Sequence, residues 1–144
     1  MEGEACSAYA LNLCGLGHGF DSFDALEAKL AALGPKERAV LTDLNLSHNN
    51  LIALPPSLFH LPHLTRLDLS FNQLPTLPAA VGGLTQLQVL NLLGNPLAAL
   101  PLEMQGLTEL RKLKVSNVTK RKLAANPQLF LRYLKPLPLK PSKL

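Results

Sequence analysis

Residues 41–109 read LTDLNLSHNNLIALPPSLFHLPH from Leu41, LTRLDLSFNQLPTLPAAVGGLTQ from Leu64 and LQVLNLLGNPLAALPLEMQGLTE from Leu87. The segments align without a gap at a period of 23 residues, and each reads L-x-x-L-x-L-x-x-N-x-L, then L-P, then two more apolar positions. A fourth unit, LRKLKVSNVTKRKLAANPQLFLR from Leu110, keeps only its first half. Self-similarity at a fixed period marks a stack of like units, each unable to bury its own apolar side.

The L-x-L core of each unit fits a short strand, because alternate residues point to opposite faces. Leu44/Leu46, Leu67/Leu69, Leu90/Leu92 and Leu113/Val115 then face inward. Stacking places neighbouring strands about 4.8 Å apart and closes one leucine core. Asn49, Asn72 and Asn95 fall where the chain leaves the strand. A buried turn needs partners for its amides and carbonyls, and an asparagine side chain supplies both donors and an acceptor. The three asparagines are therefore expected to form a structural ladder. Pro55, Pro78 and Pro101 favour an extended or 3₁₀ return over a long helix. Leu58/Leu61, Val81/Leu84 and Met104/Leu107 pack that return onto the strands.

The pattern resembles the leucine-rich repeat family, and within it the intracellular subgroup with L-P after the strand turn, as in Scribble, Erbin and the plant Ras-group-related repeat proteins. The likeness covers residues 41–109 fully and 110–123 in part. It implies an α/β solenoid with a short parallel sheet on the concave face, a 3₁₀ or irregular convex side and helical caps. It also implies an adaptor or scaffold role in signalling, with no catalytic activity and no cofactor.

Around the repeats, residues 1–40 read as an N-terminal cap. A degenerate strand around Leu11 and Leu13 is followed by a helix over about 22–33, ended by Gly34-Pro35. The repeats run 41–63, 64–86 and 87–109, with a degenerate unit at 110–132. A capping helix is expected over 124–135, with Asn126 as cap and Pro127 at the first helical position, and a Pro/Lys tail over 136–144.

Composition agrees. The chain has 144 residues, of which 36 are leucine, with 47% hydrophobic and 17% charged residues, so it is globular rather than disordered. Its opening has no basic n-region or apolar h-region of a signal peptide, and no apolar stretch approaches the ~18 residues of a membrane helix. Cys6 and Cys14 are too few for a disulfide framework. A cytoplasmic setting is expected, with a nuclear one also open, and a monomer when alone.

No nucleophile–base constellation is visible. His60-Leu-Pro-His63 lacks a third ligand nearby, and CGLGHGF lacks the Lys-Ser/Thr of a phosphate loop. No metal or cofactor is expected. What remains is the outward face of the strands: Asp43, Asn45, Ser47 and His48; Arg66, Asp68, Ser70 and Phe71; Val89 and Asn91; Arg111, Lys112 and Lys114. A parallel sheet with one bare face points to a protein partner docked there. Phe71 and Val89 supply apolar centres within a polar rim.

Charge is split along the chain. Residues 1–109 carry ten acids and four bases, whereas residues 110–144 carry ten bases and no acid. Lys120, Arg121 and Lys122 extend the basic end as a patch for an anionic partner. An alternative function is therefore a basic C-terminal module for nucleic acid or anionic membrane, although no aromatics interleave with the lysines. The tail over 135–143, KPLPLKPSK, also fits the proline-helix ligands of SH3 domains. The chain also fits an isolated domain or truncated form of a larger signalling protein.

Overall fold

The computed structural model describes residues 9–15 and 23–123. The expected capping helix over 124–135 and the tail over 136–144 lie outside the described residues, as does CGLGHGF from Leu16 on.

Five strands form one parallel sheet in chain order: β1 (Tyr9–Asn12), β2 (Leu41–Asn45), β3 (Arg66–Asp68), β4 (Val89–Asn91) and β5 (Lys112–Lys114). The register runs Leu11, Leu44, Leu67, Leu90, Leu113 across the sheet. One leucine column therefore stacks through the interior, and the matching position of the next coil is always its neighbour. Leu44, Leu46, Leu67, Leu69, Leu90 and Leu92 are all buried. At about 1.5–3 kcal/mol per buried leucine, this repeated burial is the main force closing the stack.

The convex side returns through 3₁₀ turns at Pro56–His60, Ala79–Gly83 and Leu102–Gly106. Each follows an extended proline, Pro55, Pro78 or Pro101, with φ of −75, −71 and −70°. These values lie where the pyrrolidine ring holds φ. Leu58, Leu61, Val81, Leu84, Met104 and Leu107 point inward from this side and are buried. The last two turns approach closely because Gly82 has no side chain. A methyl group there would run into the Glu103 carbonyl.

At the N-terminal end, helix α1 (Phe23–Ala31) lays Leu26 and Leu30 onto the core beside the first 3₁₀ turn. Ser57 Oγ donates to Glu27 Oε1 at 2.7 Å across that contact. The helix ends at Ala31, two residues short of the expected boundary. There Arg38 Nη2 donates to the carbonyls of Leu30 and Ala31, both at 3.3 Å. A cation at the carbonyl end of a helix satisfies groups the helix cannot.

Two elements differ from the sequence expectation. Gly34-Pro35 not only stops a helix but starts one, α2 (Pro35–Val40). Pro35 occupies the first helical position, where no amide is needed, and Glu37 Oε2 accepts the Gly34 N–H at 2.7 Å. Within its described part, to Leu123, the fourth coil leaves the pattern of the first three. After β5 it becomes helix α3 (Asn117–Leu123). Val118 stands where the ladder asparagine would be, so nothing there serves a neighbouring turn. Ser116 instead accepts the Thr119 N–H at 3.2 Å through Oγ and the Lys120 N–H at 2.9 Å through its carbonyl, opening the helix.

Candidate functional site

The outward sides of the strands form parallel columns, one residue per coil. Register places Ala10, Asp43, Arg66, Val89 and Lys112 in one column and Asn12, Asn45, Asp68, Asn91 and Lys114 in the next. Residues of all five strands line an open groove of about 360 Å³ across the concave face, including Asp43, Asn45, Arg66, Asp68, Val89, Asn91 and Lys114.

The second column also builds backbone. Asn12 Oδ1 accepts the Cys14 N–H at 3.1 Å, Asn45 Oδ1 the Ser47 N–H at 3.0 Å, Asp68 Oδ1 the Ser70 N–H at 2.9 Å and Asn91 Oδ1 the Leu93 N–H at 3.2 Å. Each side chain folds back onto the amide two residues on, which turns the chain out of the strand. Ser47 Oγ and Ser70 Oγ donate to the same oxygens at 2.7 and 2.6 Å. Both serines are buried, at 5% and 4% exposure, so they hold the column in place and offer nothing to a visitor. This corrects their expected place on the open face.

One step further along, Gly15, His48, Phe71 and Gly94 share a left-handed backbone, with φ of 60, 59, 55 and 71°. Such φ values cost an L side chain about 1–2 kcal/mol, and glycine nothing. The two middle coils nevertheless carry aromatic rings, stacked with centroids 4.7 Å apart and planes at 14°. The Phe71 ring also lies over Gly94, where an added Cβ would come within 2.6 Å of Phe71 Cδ1. Phe71 is still 52% exposed, so its ring offers an apolar surface just past the end of β3.

One residue further on runs the asparagine ladder. Asn72 Oδ1 accepts the N–H groups of Asn49 and Leu51, both at 3.0 Å, and its Nδ2 donates to Leu46 O and Leu69 O, both at 2.9 Å. Asn95 Oδ1 accepts from Leu74 N–H at 3.1 Å, and its Nδ2 donates to Leu69 O at 2.8 Å and Leu92 O at 3.2 Å. Asn49 Nδ2 donates to Leu13 O and Leu46 O at 2.6 and 3.1 Å. Each amide thus serves its own turn and the turn of the preceding coil.

Charge on the face divides. Asp43 and Asp68 belong to β2 and β3, whereas Lys112 and Lys114 lie on β5, with Arg111 exposed just before it. Lys120 and Arg121 are exposed on α3. Lys122 falls in the same helix, but its side chain is outside the description. Arg66 stands between the two carboxylates in register. His60 and His63 are exposed, and among the described residues no three His, Cys, Asp or Glu side chains gather as a metal site would need.

Residues 39–97 match the leucine rich repeat family model. This match supports the leucine-rich repeat family for the stacked coils. Among solved structures, a leucine-rich-repeat protein of Leptospira interrogans is similar at 34% identity with a TM-score of 0.50. The likeness covers 58% of this chain and 23% of that one, so this chain spans less than a quarter of the length of that protein. No curated protein matches the chain. The five-stranded parallel sheet described above fits a leucine-rich-repeat solenoid. No described helix is long and apolar enough to cross a membrane.

Proposed function

We propose that this chain is a non-enzymatic protein-interaction module, an adaptor or scaffold in intracellular signalling, which docks a partner protein on its concave face. The observation that carries this is the groove lined by residues of all five strands, with side chains set in fixed rows by register. Leucine-rich repeat domains generally mediate protein–protein interaction, which supports the same reading. The 23-residue period with its L-P step favours the intracellular subgroup similar to Scribble and Erbin, and with it a cytoplasmic setting.

Mechanistically, docking needs shape and few polar anchors. Asn45, Asp68 and Asn91 are each tied by one oxygen to their own turn. Their remaining polar atoms are thus held in place before a partner arrives, which reduces the ordering cost of binding. Phe71 and Val89 supply apolar contact beside them.

The test is a paired capture experiment with the full chain. Arg66→Glu together with Lys112→Glu should abolish capture of the partner bound by the wild type, with the circular dichroism spectrum unchanged. Capture retained by the folded double variant would move the site off this face.

A further inference from the structure

We infer that the β4–β5 half of the groove takes an acidic peptide segment of the partner, anchored by an apolar residue on Val89. This rests on the concave-face docking proposed above and names its chemistry. Lys112 and Lys114 lie two apart on one strand and therefore point to the same side, about 7 Å from each other. Lys114 lines the groove, and Val89 and Asn91 are their register partners on β4. Arg111 adds a cation beside them, and α3 brings Lys120 and Arg121 to the same end of the sheet. No acid occurs from residue 110 to the end of the sequence, Glu109 being the last, so the segment is net basic.

A bare basic patch would serve any polyanion, but this one is half of a groove. Asp43 and Asp68 line the other half with Arg66 between them, so that half carries a net charge of about −1 against the cations of β5. A nucleic-acid strand tracking the groove would carry its phosphates over two carboxylates, at a repulsive cost. A flat anionic membrane would meet Lys120 and Arg121 but could not enter a concave hollow that Val89 and Lys114 line. A short acidic segment with one apolar side chain satisfies both halves. Its carboxylates sit over β5, its apolar residue sits on Val89, and the net negative charge left by Asp43, Arg66 and Asp68 disfavours sliding toward β2. Like-charge repulsion at one end and attraction at the other fixes a single register.

The probe is a fluorescein-labelled Glu-rich peptide with one central Leu, followed by anisotropy against the full chain. Polyuridine and phosphatidylserine-doped vesicles are the comparison arms. The Glu-rich peptide should bind, and Lys112→Glu with Lys114→Glu should weaken it by about tenfold or more. The milder Lys112→Gln with Lys114→Gln keeps the test readable if charge reversal disturbs folding. Replacing the probe Leu with Ser should lose affinity on the wild type and not on Val89→Ser, a coupling that a plain polyanion site lacks.

Absence of peptide binding at low salt, or binding indifferent to both lysine variants, would overturn the inference. So would tighter binding of polyuridine or vesicles with the same lysine dependence. If the peptide fails while Arg66→Glu with Lys112→Glu still abolishes partner capture, only the acidic segment is refuted. If partner capture survives that variant, the face itself is refuted.

Discussion

Asn72→Leu tests the ladder at its middle rung. The side chain is buried and nearly isosteric with leucine, so the substitution removes hydrogen bonds with little change in volume. The bonds are not equal. Leu46 O, one acceptor of the Asn72 amide, also receives Asn49 Nδ2 at 3.1 Å, and the other, Leu69 O, receives Asn95 Nδ2 at 2.8 Å. Both carbonyls therefore keep a partner in the variant. The Asn49 and Leu51 N–H groups lose Asn72 Oδ1. At about 1–3 kcal/mol for each buried donor left unmade, the loss is about 2–6 kcal/mol. Asn95→Leu deprives one such N–H, that of Leu74, together with the Leu92 carbonyl. The expected order of cost is Asn72 above Asn95. Urea unfolding followed by circular dichroism gives the order, and native-state hydrogen exchange at the Asn49 and Leu51 amides reads the two donors directly. An Asn72→Leu protein within about 0.5 kcal/mol of the wild type, the usual scatter of neutral substitutions, would refute the donor accounting.

Three further substitutions separate packing from backbone strain. Gly82→Ala should cost about 1–3 kcal/mol by pushing the 3₁₀ turns apart at the Glu103 carbonyl, whereas Gly83→Ala, with open space at its Cβ, should be near neutral in the same thermal unfolding series. Gly94→Ala should destabilise more than Gly15→Ala, because both pay for a left-handed φ but only Gly94 also displaces the Phe71 ring; equal melting temperatures would remove that contact from the account. Leu90→Ala, fully buried in the middle of the leucine column, should cost about 2–5 kcal/mol in urea, and a smaller loss would mean that the coils collapse onto the cavity.

The coils themselves were legible because the signal is repeated. Leu44, Leu67 and Leu90 occupy the same register position, so any error at one is corrected by the other two. The asparagine step was legible for the same reason. Single-use features were not. Pro35 carries the same sign whether it ends one helix or begins another, and only the Glu37 contact to Gly34 decides between them. Val118 announced that the ladder stops, but not that the chain would turn helical at Asn117. Ser47 and Ser70 were assigned outward by alternation, yet β2 ends at Asn45 and β3 at Asp68. Alternation lapses with the strand, and the next residues are drawn under their own Asx turn. The left-handed column also had a visible trace, since Gly94 sits one period from Phe71 and two from His48.

These differences divide the proposed face by how firmly each side chain is held. Asn45, Asp68 and Asn91 double as turn formers, so a partner contacting them orders almost nothing. The His48–Phe71 pair is fixed by stacking and by the Gly94 floor. Lys112, Arg111, Lys120 and Arg121 are exposed and belong to the last strand, its approach and the helix after it. Immobilising such a side chain costs about 0.5–1.5 kcal/mol, which consumes much of what a solvated ion pair returns. The centre of the groove is therefore built to set the lifetime of a complex and the basic end to set its rate of formation. Charge removal at Lys112 should slow association and flatten its salt dependence, whereas Asp68→Ala should speed dissociation by undoing the turn that presents its neighbours. A dissociation rate that follows Lys112 instead would place the anchoring contacts at the flexible end and reverse this division.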